Sequence, residues 1–336
     1  MFGRAGLPSD LVDTVLDALR AHARVAVHFH PDRLFRDDRT VAEGLRDVGA
    51  YRNQYDTGIS GGSLTAFPGG ERHRWEEDLF GGAYSEDALS ARPKYGALQL
   101  LRHPDGPAPR FGSAYLLLSA EATERSTFTF QGSQESTALR QSGPLDVMEP
   151  VLAALLRTAE GGGEVLGRQC SGVADLVGHL LQDLPRLFSN PPRGKLGRAL
   201  DSFVEAQVHG PVHLAEDVER LVADPVYLDT KTGNVLREVA REYGVALSWH
   251  PGYTLPVRNV PKRFRGYATG PLARRIAGDG SIDAAKIGAA ANSYRLEPEL
   301  WRELGSQSEA RTHFRRMWHV LVQKALPLNA QGRVRS

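Results

Sequence analysis

Two histidines and an arginine stand where the first predicted strand ends. The segment His28-Phe-His-Pro-Asp-Arg33 follows an alternating stretch. Residues i and i+2 of a strand project to one face, so His28 and His30 are expected on the same side. Imidazoles beside Arg33 suit contacts to the ribose or phosphates of a nucleotide, or half of a metal site. One buried structural histidine and one exposed histidine would give the same pattern.

A glycine-rich segment with hydroxyl and aromatic side chains follows, between residues 51 and 83. It begins with Tyr51 and contains Tyr55, Thr57, Gly58 and Ser60. Hydroxyls flanked by glycines let backbone N–H groups approach a phosphate closely. The aromatics distinguish the segment from a flexible linker, so irregular backbone in a binding loop is predicted. Ordinary turn chemistry explains the same composition.

A carboxylate, an amide and an imidazole alternate along a later predicted strand. Glu205, Gln207 and His209 fall on one face, opposite Val204 and Val208. A sheet with one solvated face has this alternation, but the same three groups near a strand end also suit a catalytic rim.

Other polar segments are less specific. The charged run 71–77 is typical of a solvated face, although Trp75 and, beyond it, Tyr84 could line a pocket. Arg92-Pro-Lys-Tyr-Gly96 and Arg110-Phe-Gly-Ser113 place basic residues beside aromatics and glycine, which is also typical of turns.

The elements that position these residues follow from periodicity and turn signals. Strands are predicted at 24–29, 95–101, 113–118, 126–130, 203–208 and 245–249. Helices are predicted at 9–22, 40–48, 149–158, 173–187, 215–222 and 233–243, and from 272 onward. Strands and helices mix without strict alternation, which favours an α+β fold with a mixed or antiparallel sheet over a doubly wound one. We expect one α+β catalytic domain over 1–270, with a helical insertion at about 145–200, and a helical extension over 271–336 that packs on it.

Composition limits the class of protein. The chain has 336 residues, 41% of them hydrophobic, and a net charge of +1, which gives no global electrostatic argument for nucleic acid or membrane binding. The single cysteine, Cys170, excludes an internal disulfide and suits a reducing compartment. The N-terminal region has no apolar core of the signal-peptide type, because Asp10, Asp13 and Asp17 interrupt it. No apolar run in the sequence is long enough to span a bilayer. A cytoplasmic protein with no membrane partner is expected.

The glycine motifs of Rossmann and P-loop proteins do not occur in the sequence, so these two nucleotide-binding folds lack their main evidence.

Several motifs together resemble a bacterial family catalogued as a domain of unknown function. They are HFHPDR at 28–33, TGISGG at 57–62, RPKYGA at 92–97, RFGS at 110–113 and EAQVHG at 205–210. The resemblance spans most of the chain and implies no activity.

A second resemblance is to the ADP-ribosyltransferase superfamily. A histidine at a strand exit, the short helix V-A-E-G-L and a glycine/serine strand start are similar to the opening of that fold. The resemblance implies an α+β core of that type with helical N-terminal, middle and C-terminal additions. It also implies an enzyme that consumes NAD as a substrate and transfers ADP-ribose to an acceptor, which is a protein, a nucleic acid or another molecule.

Residue roles follow from this second resemblance. His28, His30 or Arg33 would bind the ribose or phosphates of NAD, and Thr57 or Ser60, beside Gly58, would form the hydroxyl motif. Tyr51 or Tyr55 would stack on nicotinamide. Glu205, followed by Gln207, would occupy the catalytic pair position. The interpretation involves no metal.

Two alternatives remain open. In the first, a metal-dependent hydrolase uses His28 and His30 as ligands, together with His209, His213 and His250, and the metal activates water. In the second, a non-catalytic protein binds a nucleotide through the same loops, and Glu205 is structural.

Overall fold

The structure, a computed structural model, describes residues 8–35, 38–59, 65–85, 88–134, 138–188 and 195–326. The strands are β1 (Arg24–Phe29), β2 (Lys94–Gln99), β3 (Ala114–Leu118), β4 (Ser126–Phe130), β5 (Ser142–Pro144), β6 (Gly163–Val165), β7 (Arg168–Cys170), β8 (Val204–Val208), β9 (Val218–Ala223), β10 (Ala246–Trp249), β11 (Thr254–Pro256) and β12 (Ser281–Asp283). The α-helices are α1 (Ser9–His22), α2 (Val41–Val48), α3 (Gln54–Thr57), α4 (Glu71–Leu79), α5 (Ala120–Glu124), α6 (Glu149–Ala159), α7 (Val173–Asp183), α8 (Leu214–Asp217), α9 (Lys231–Glu242), α10 (Thr269–Ala277), α11 (Ala284–Leu296) and α12 (Gln307–Lys324). Short 3₁₀ segments lie at Leu89–Ala91, Pro109–Phe111, Ala138–Gln141, Leu145–Val147, Leu184–Arg186, Pro225–Tyr227, Val257–Asn259 and Pro298–Leu304.

Eight strands form one large sheet in the order β10-β9-β3-β1-β2-β8-β4-β5. All neighbouring pairs are antiparallel except β9 and β10, which are parallel and are connected through α9. The predicted mixed α+β class is therefore confirmed. Because β1 lies near the centre of the sheet, residues at its end are held between β2 and β3.

The two faces of the sheet differ because side chains alternate along each strand. One face is apolar and belongs to the main hydrophobic core, which also includes α1, α6 and α7. Its fully buried strand residues include Val25, Val27, Leu98, Leu116, Phe128 and Ala206. The segment predicted as an insertion at about 145–200 packs here, where α6 contacts β4 and β5.

The opposite face carries polar groups among small apolar ones. Pairing places Ala26 of β1 beside Ala97 of β2, and Ala97 beside Glu205 of β8. His28 lies two residues after Ala26, and Tyr95 two residues before Ala97, so both share this face. One polar surface thus spans β1, β2 and β8.

Residues typical of helix caps stand at both ends of α2. The predicted helix beginning at Thr40 is confirmed as α2, in which Thr40 and Glu43 form a capping box and Gly49 ends the helix at φ 67°. Glycine tolerates this left-handed conformation at little cost. The predicted N-terminal helix is also confirmed; its N-cap position is Pro8, where no side chain makes a capping hydrogen bond.

Two local predictions were wrong. The helix predicted at 215–222 is limited to α8, and Val218–Ala223 forms β9. Pairing with both β3 and β10 outweighs the local helical pattern there. The irregular backbone expected over 51–83 contains two helices, α3 and α4. The sequence Asn190-Pro-Pro-Arg-Gly194 also predicts a loop, which lies outside the described residues.

The C-terminal part forms a second hydrophobic cluster around α10, α11 and α12. It packs on the exit of β1: the Asn292 side chain donates to the Asp32 carbonyl at 2.7 Å and accepts from the Leu34 N–H at 3.2 Å. A Cβ on Gly288 of α11 would lie 1.6 Å from the Asp32 carboxylate, so a glycine is required for this approach.

Within the described ranges, no helix is both long enough and apolar enough to cross a lipid bilayer.

Candidate functional site

A cavity of about 1090 Å³ lies over the polar face of the sheet. Its lining includes the end of β1, one face of α2, residues 50–59 and 65–76, parts of β2 and β8, the 3₁₀ segment Pro109–Phe111, and the C-terminal helices from Ala291 to Trp318. Binding pockets for small molecules have volumes of about 300–1,000 Å³. This cavity therefore has room for a large ligand of dinucleotide size.

The cavity brings together nearly all the residues that the sequence predicted as catalytic or ligand-binding. Those that line it are His28, His30, Arg33, Tyr51, Tyr55, Thr57, Gly58 and Glu205. Gln207 is fully buried behind the lining, and Ser60 lies outside the described residues. Of the less specific candidates, Trp75 and Arg110 also line the cavity.

His28 is a neutral donor in the cavity wall. Its Nε2 accepts a hydrogen bond from the Ala108 N–H at 3.3 Å, which leaves the ring proton on Nδ1. Burial chiefly lowers the pKa of His28 to about 3, although the Gly112 backbone favours the protonated form. Nδ1 has no hydrogen-bond partner among the described residues. The Gly112 backbone therefore compensates this N–H only in part, and a ligand acceptor in the cavity would complete its hydrogen bonding.

His30 is held by a polar chain and an aromatic ring. Its Nδ1 lies 3.3 Å from the Ser113 hydroxyl, which lies 3.0 Å from the Tyr227 hydroxyl. The His30 ring meets Trp318 edge to face at a centroid distance of 4.7 Å. Burial keeps the pKa of His30 well below its usual value, so this histidine also faces the cavity as a neutral ring.

Glu205 is the carboxylate on the floor of the cavity. Its Oε1 accepts hydrogen bonds from the Ser133 N–H at 3.1 Å and from Gln207 Nε2 at 3.0 Å. Burial raises the pKa of Glu205, and these two donors oppose the rise. The carboxylate is therefore fixed in position, and its protonation depends on its donors.

A chain of hydrogen bonds reaches Glu205 from the edge of the sheet. The Tyr84 hydroxyl contacts His209 Nδ1 at 2.5 Å, and His209 Nε2 contacts Thr127 at 3.0 Å. Thr127 donates to the Gln207 oxygen at 3.0 Å. Because the Thr127 proton is used in this way, its oxygen must accept from His209, whose Nδ1 then accepts from Tyr84. All donors in this chain point toward Glu205, and the predicted alignment of Gln207 and His209 with Glu205 is confirmed.

A buried charge network forms the wall beside Glu205. The fully buried Glu76 carboxylate accepts from the hydroxyls of Tyr55 and Tyr95, each at 2.9 Å, and pairs with Arg92 at 3.1 Å. Arg72 lies 3.5 Å from the same carboxylate and stacks over the Tyr95 ring at 4.6 Å. The charged run was predicted as a solvated face, but its central glutamate is a buried anchor for two cavity tyrosines.

The described part of the hydroxyl motif, Thr57 and Gly58, lies at the end of a short helix. Thr57 ends the four-residue helix α3 and donates to the Asn53 carbonyl at 2.9 Å. The Gly58 N–H donates to the Gln54 carbonyl at 2.8 Å, so it is not free for a phosphate. A local helix takes up the backbone groups at Thr57 and Gly58, while the rest of the expected glycine/serine strand start, residues 60–64, lies outside the described residues. The next strand within the described ranges is β2, which brings Tyr95 to the cavity.

Positive charge dominates the lining. Among the described residues that line the cavity, cationic side chains outnumber carboxylates by eight to three. The cations are Arg33, Arg52, Arg72, Lys94, Arg110, Arg295, Arg311 and Arg315, and the carboxylates are Asp38, Glu76 and Glu205. Such a site favours an anionic ligand, because guanidinium groups match phosphate oxygens in geometry and charge.

The arginines of α12 were missed by the sequence reasoning, which treated the C-terminal third as packing alone. Arg311 and Arg315 are four residues apart and lie on one helix face, and both line the cavity. This spacing was the available signal. The sequence did not show that this face meets the cavity.

The metal alternative finds little support in ligand geometry. Within the described ranges, one group of three possible ligands lies close enough to hold an ion: Cys170, Asp175 and His179. It does not include His28 or His30. His250 instead accepts from the Gly252 N–H at 3.0 Å, and its other ring nitrogen lies 3.2 Å from the Ser113 carbonyl.

Comparison with known families agrees with the motif pattern. The family model described as "Protein of unknown function (DUF3626)" matches residues 24–324. The chain belongs to this family, as its five motifs predicted. No curated protein matches the chain.

Proposed function

We propose that this family member cleaves the nicotinamide–ribose bond of NAD and transfers the ADP-ribosyl group to an acceptor. The observation that carries the proposal is the Glu205 carboxylate, fixed by two donors on the floor of a large cavity whose lining is mostly cationic. The similarity to ADP-ribosyltransferases in the order of sequence motifs supports the same chemistry.

The reaction needs a negative charge at this point. Loss of nicotinamide leaves positive charge on the ribose C1′ and ring oxygen, as in an oxocarbenium-like transition state. A preorganised carboxylate stabilises that charge without reorganising during the reaction. Glu205 would serve this role and would accept the proton of the attacking acceptor. Gln207 is a positioning residue in this scheme, because it contacts the carboxylate from behind the cavity lining.

The remaining lining groups suit the other parts of NAD. Arginines such as Arg33 and Arg315 would bind the diphosphate through charge-assisted hydrogen bonds. The rings of Tyr55 and Tyr95 would stack on nicotinamide. The Nδ1–H of His28 would donate to a ribose hydroxyl or to the carboxamide.

The test is release of free nicotinamide from NAD by wild type and by Glu205→Gln. We expect at least a 100-fold loss in the variant, because removing one charge-stabilising group costs about 10²–10³ in rate. Glu160→Gln, an exposed carboxylate at the end of α6, is the matched control and should retain full activity. Unchanged circular dichroism would show that Glu205→Gln folds.

Two outcomes would contradict this function. Undiminished nicotinamide release by Glu205→Gln would remove the carboxylate from the mechanism. Saturable NAD binding by wild type without any product would favour the non-catalytic nucleotide-binding alternative instead.

A further inference from the structure

A basic loop adjoins the cavity on its C-terminal side. Residues 258–267 read RNVPKRFRGY, with four cations, two aromatics and no acidic residue. Arg258, Lys262 and Arg263 are exposed and make no ion pair with any described residue. The chain as a whole is nearly neutral, so this concentration of positive charge is local.

Arg265 connects the loop to the cavity. Its guanidinium pairs with Asp201, and the same carboxylate pairs with the cavity residue Arg110 at 3.3 Å. Burial lowers the pKa of Arg110; the charge of Asp201 opposes this shift, and the charges of Arg265 and Arg315 add to it. The three guanidinium groups therefore share one electrostatic environment.

Helix α12 extends the same surface. A Cβ on Gly266 would lie 3.0 Å from Arg316 Nη1, so the loop backbone rests on this arginine. Arg315 and Arg311 continue along the helix into the cavity. We call the loop 258–267 together with Arg110, Arg311, Arg315 and Arg316 the basic belt.

An exposed aromatic side chain lies within the basic belt. Tyr267 is 73% exposed, and Arg263 lies over its ring at 5.8 Å. Burying a tyrosine ring is favourable, so packing within the chain does not explain one that is open to solvent among cations. Unstacked bases are recognised by such rings, while neighbouring cations follow the phosphates.

The cavity lining and the basic belt together supply more positive charge than NAD requires. The cavity lining has five more cations than carboxylates, whereas the NAD diphosphate carries two negative charges. The exposed cations of the loop lie outside the lining altogether. They would therefore serve a second anionic partner that extends beyond the cavity.

We propose that the basic belt binds single-stranded nucleic acid and presents it to the cavity as the acceptor of ADP-ribose. The presentation as acceptor rests on the proposed function, but the binding does not. In the transfer, a nucleophilic base nitrogen or hydroxyl attacks C1′ of the nicotinamide ribose. The C1′–N bond breaks, its electron pair goes to the nicotinamide ring, and the proton of the nucleophile goes to the Glu205 carboxylate.

Binding is tested without NAD, by fluorescence anisotropy of a labelled oligothymidylate of about 20 nucleotides. The variant Arg258→Gln/Lys262→Gln/Arg263→Gln should bind about tenfold more weakly. Its affinity should depend less on salt, with a log–log slope smaller by about 2, because each phosphate contact to a single strand contributes about 0.7. Tyr267→Ala should weaken binding by about fivefold to 100-fold through lost stacking.

The matched control removes the same charge elsewhere. Arg157, Arg186 and Arg241 are exposed arginines on other helical segments, and their triple change to glutamine should leave oligonucleotide affinity unchanged. Equal weakening by both triple variants would overturn the proposal, because net charge alone would then explain the binding. The proposal would also be overturned if wild type failed to bind the oligonucleotide at about 50 mM salt. It would likewise be overturned if polyglutamate displaced the labelled oligonucleotide as effectively, per negative charge, as unlabelled oligonucleotide does.

A second measurement separates this inference from the proposed function. With NAD added, the mass of the oligonucleotide should increase by one ADP-ribosyl group with wild type. The belt variant should still release nicotinamide but modify the oligonucleotide at least tenfold less. Nicotinamide release without oligonucleotide binding would overturn the belt alone, whereas binding without nicotinamide release would overturn the proposed function and leave the binding site.

Discussion

At Glu205, burial and hydrogen bonding act on the carboxyl pKa in opposite directions. Burial raises it, and the donors Ser133 N–H and Gln207 Nε2 stabilise the ionised form. In the proposed reaction the carboxylate must be ionised to stabilise positive charge. The acidic limb of the pH–activity profile should therefore report the pKa of Glu205 and lie above the usual range for glutamate.

Gln207→Leu should move this acidic limb to higher pH. The substitution removes one donor to the ionised carboxylate, so the pKa of Glu205 rises further and activity is lost earlier on acidification. A hydrogen bond to a charged group is worth about 1.5–3 kcal/mol, which predicts a shift of about one pH unit or more. The measurement is kcat/KM for nicotinamide release across pH.

Two variants sharpen this prediction. Thr127→Val, which removes the hydroxyl that orients the Gln207 amide, should cause a smaller shift in the same direction. Gln99→Leu changes another buried glutamine, on β2. Its side chain is not among the hydrogen-bond donors to Glu205 in the described part of the chain, so the profile should stay unchanged. An unshifted limb in Gln207→Leu would show that the amide does not control the carboxylate.

At the scale of elements, α4 is attached to the sheet through charge. The carboxylate of its residue Glu76 is fully buried. It accepts hydrogen bonds from the hydroxyls of Tyr95 of β2 and Tyr55 of α3, and it forms an ion pair with Arg92. Arg92 is itself only 1% exposed. Removal of Arg92 would leave the buried Glu76 carboxylate with the longer contact to Arg72, which costs far more than the loss of an exposed ion pair.

Arg92→Met should destabilise the protein by about 3–5 kcal/mol, measured by urea unfolding. The double variant Arg92→Met/Glu76→Gln should recover part of this loss, because a neutral amide then replaces the fully buried carboxylate. Lys231→Met removes an ion pair to Glu43 in which the lysine is 85% exposed, and should cost at most about 1 kcal/mol. A similar cost for Arg92→Met and Lys231→Met would contradict the buried network.

Elements differ in how far local sequence determined them. The capping box of Thr40 and Glu43 and the alternation of β1 act within a few residues, so the sequence located α2 and β1 correctly. The strand β9 depends on pairing with β3 and β10. Such pairing joins residues far apart in the chain, and local patterns do not contain it.

At the scale of the whole molecule, the C-terminal helices close the cavity. Their position depends on Gly288, because any side chain there would meet the Asp32 carboxylate. Asp32 lies two residues after His30, so a displaced α11 would disturb the chain just beyond the end of β1. Burial raises the pKa of Asp32 to about 6, which reflects how tightly this contact is enclosed.

Gly288→Ala should destabilise the protein by about 1–3 kcal/mol, because the added methyl group overlaps a buried carboxylate. It should also weaken NAD binding, measured by isothermal titration calorimetry, since α11 and α12 supply part of the lining. Gly178→Ala is the matched control: this helical glycine of α7 has nothing within 4 Å of the added Cβ, and the change should stabilise by about 0.5–1 kcal/mol. Equal effects of the two changes would contradict this account of α11 docking.

The sequence by itself determined the α+β class, the end of β1 at the two histidines and the shared face of Glu205 and Gln207. These features follow from strand alternation and turn chemistry, which are encoded over a few neighbouring residues. Only the tertiary structure decided that Glu76 is buried, that Gln207 lies behind the lining, and that Arg311 and Arg315 meet His28 across one cavity. Each of these depends on contacts between segments up to about 290 residues apart, because burial and charge proximity arise from packing and not from local pattern.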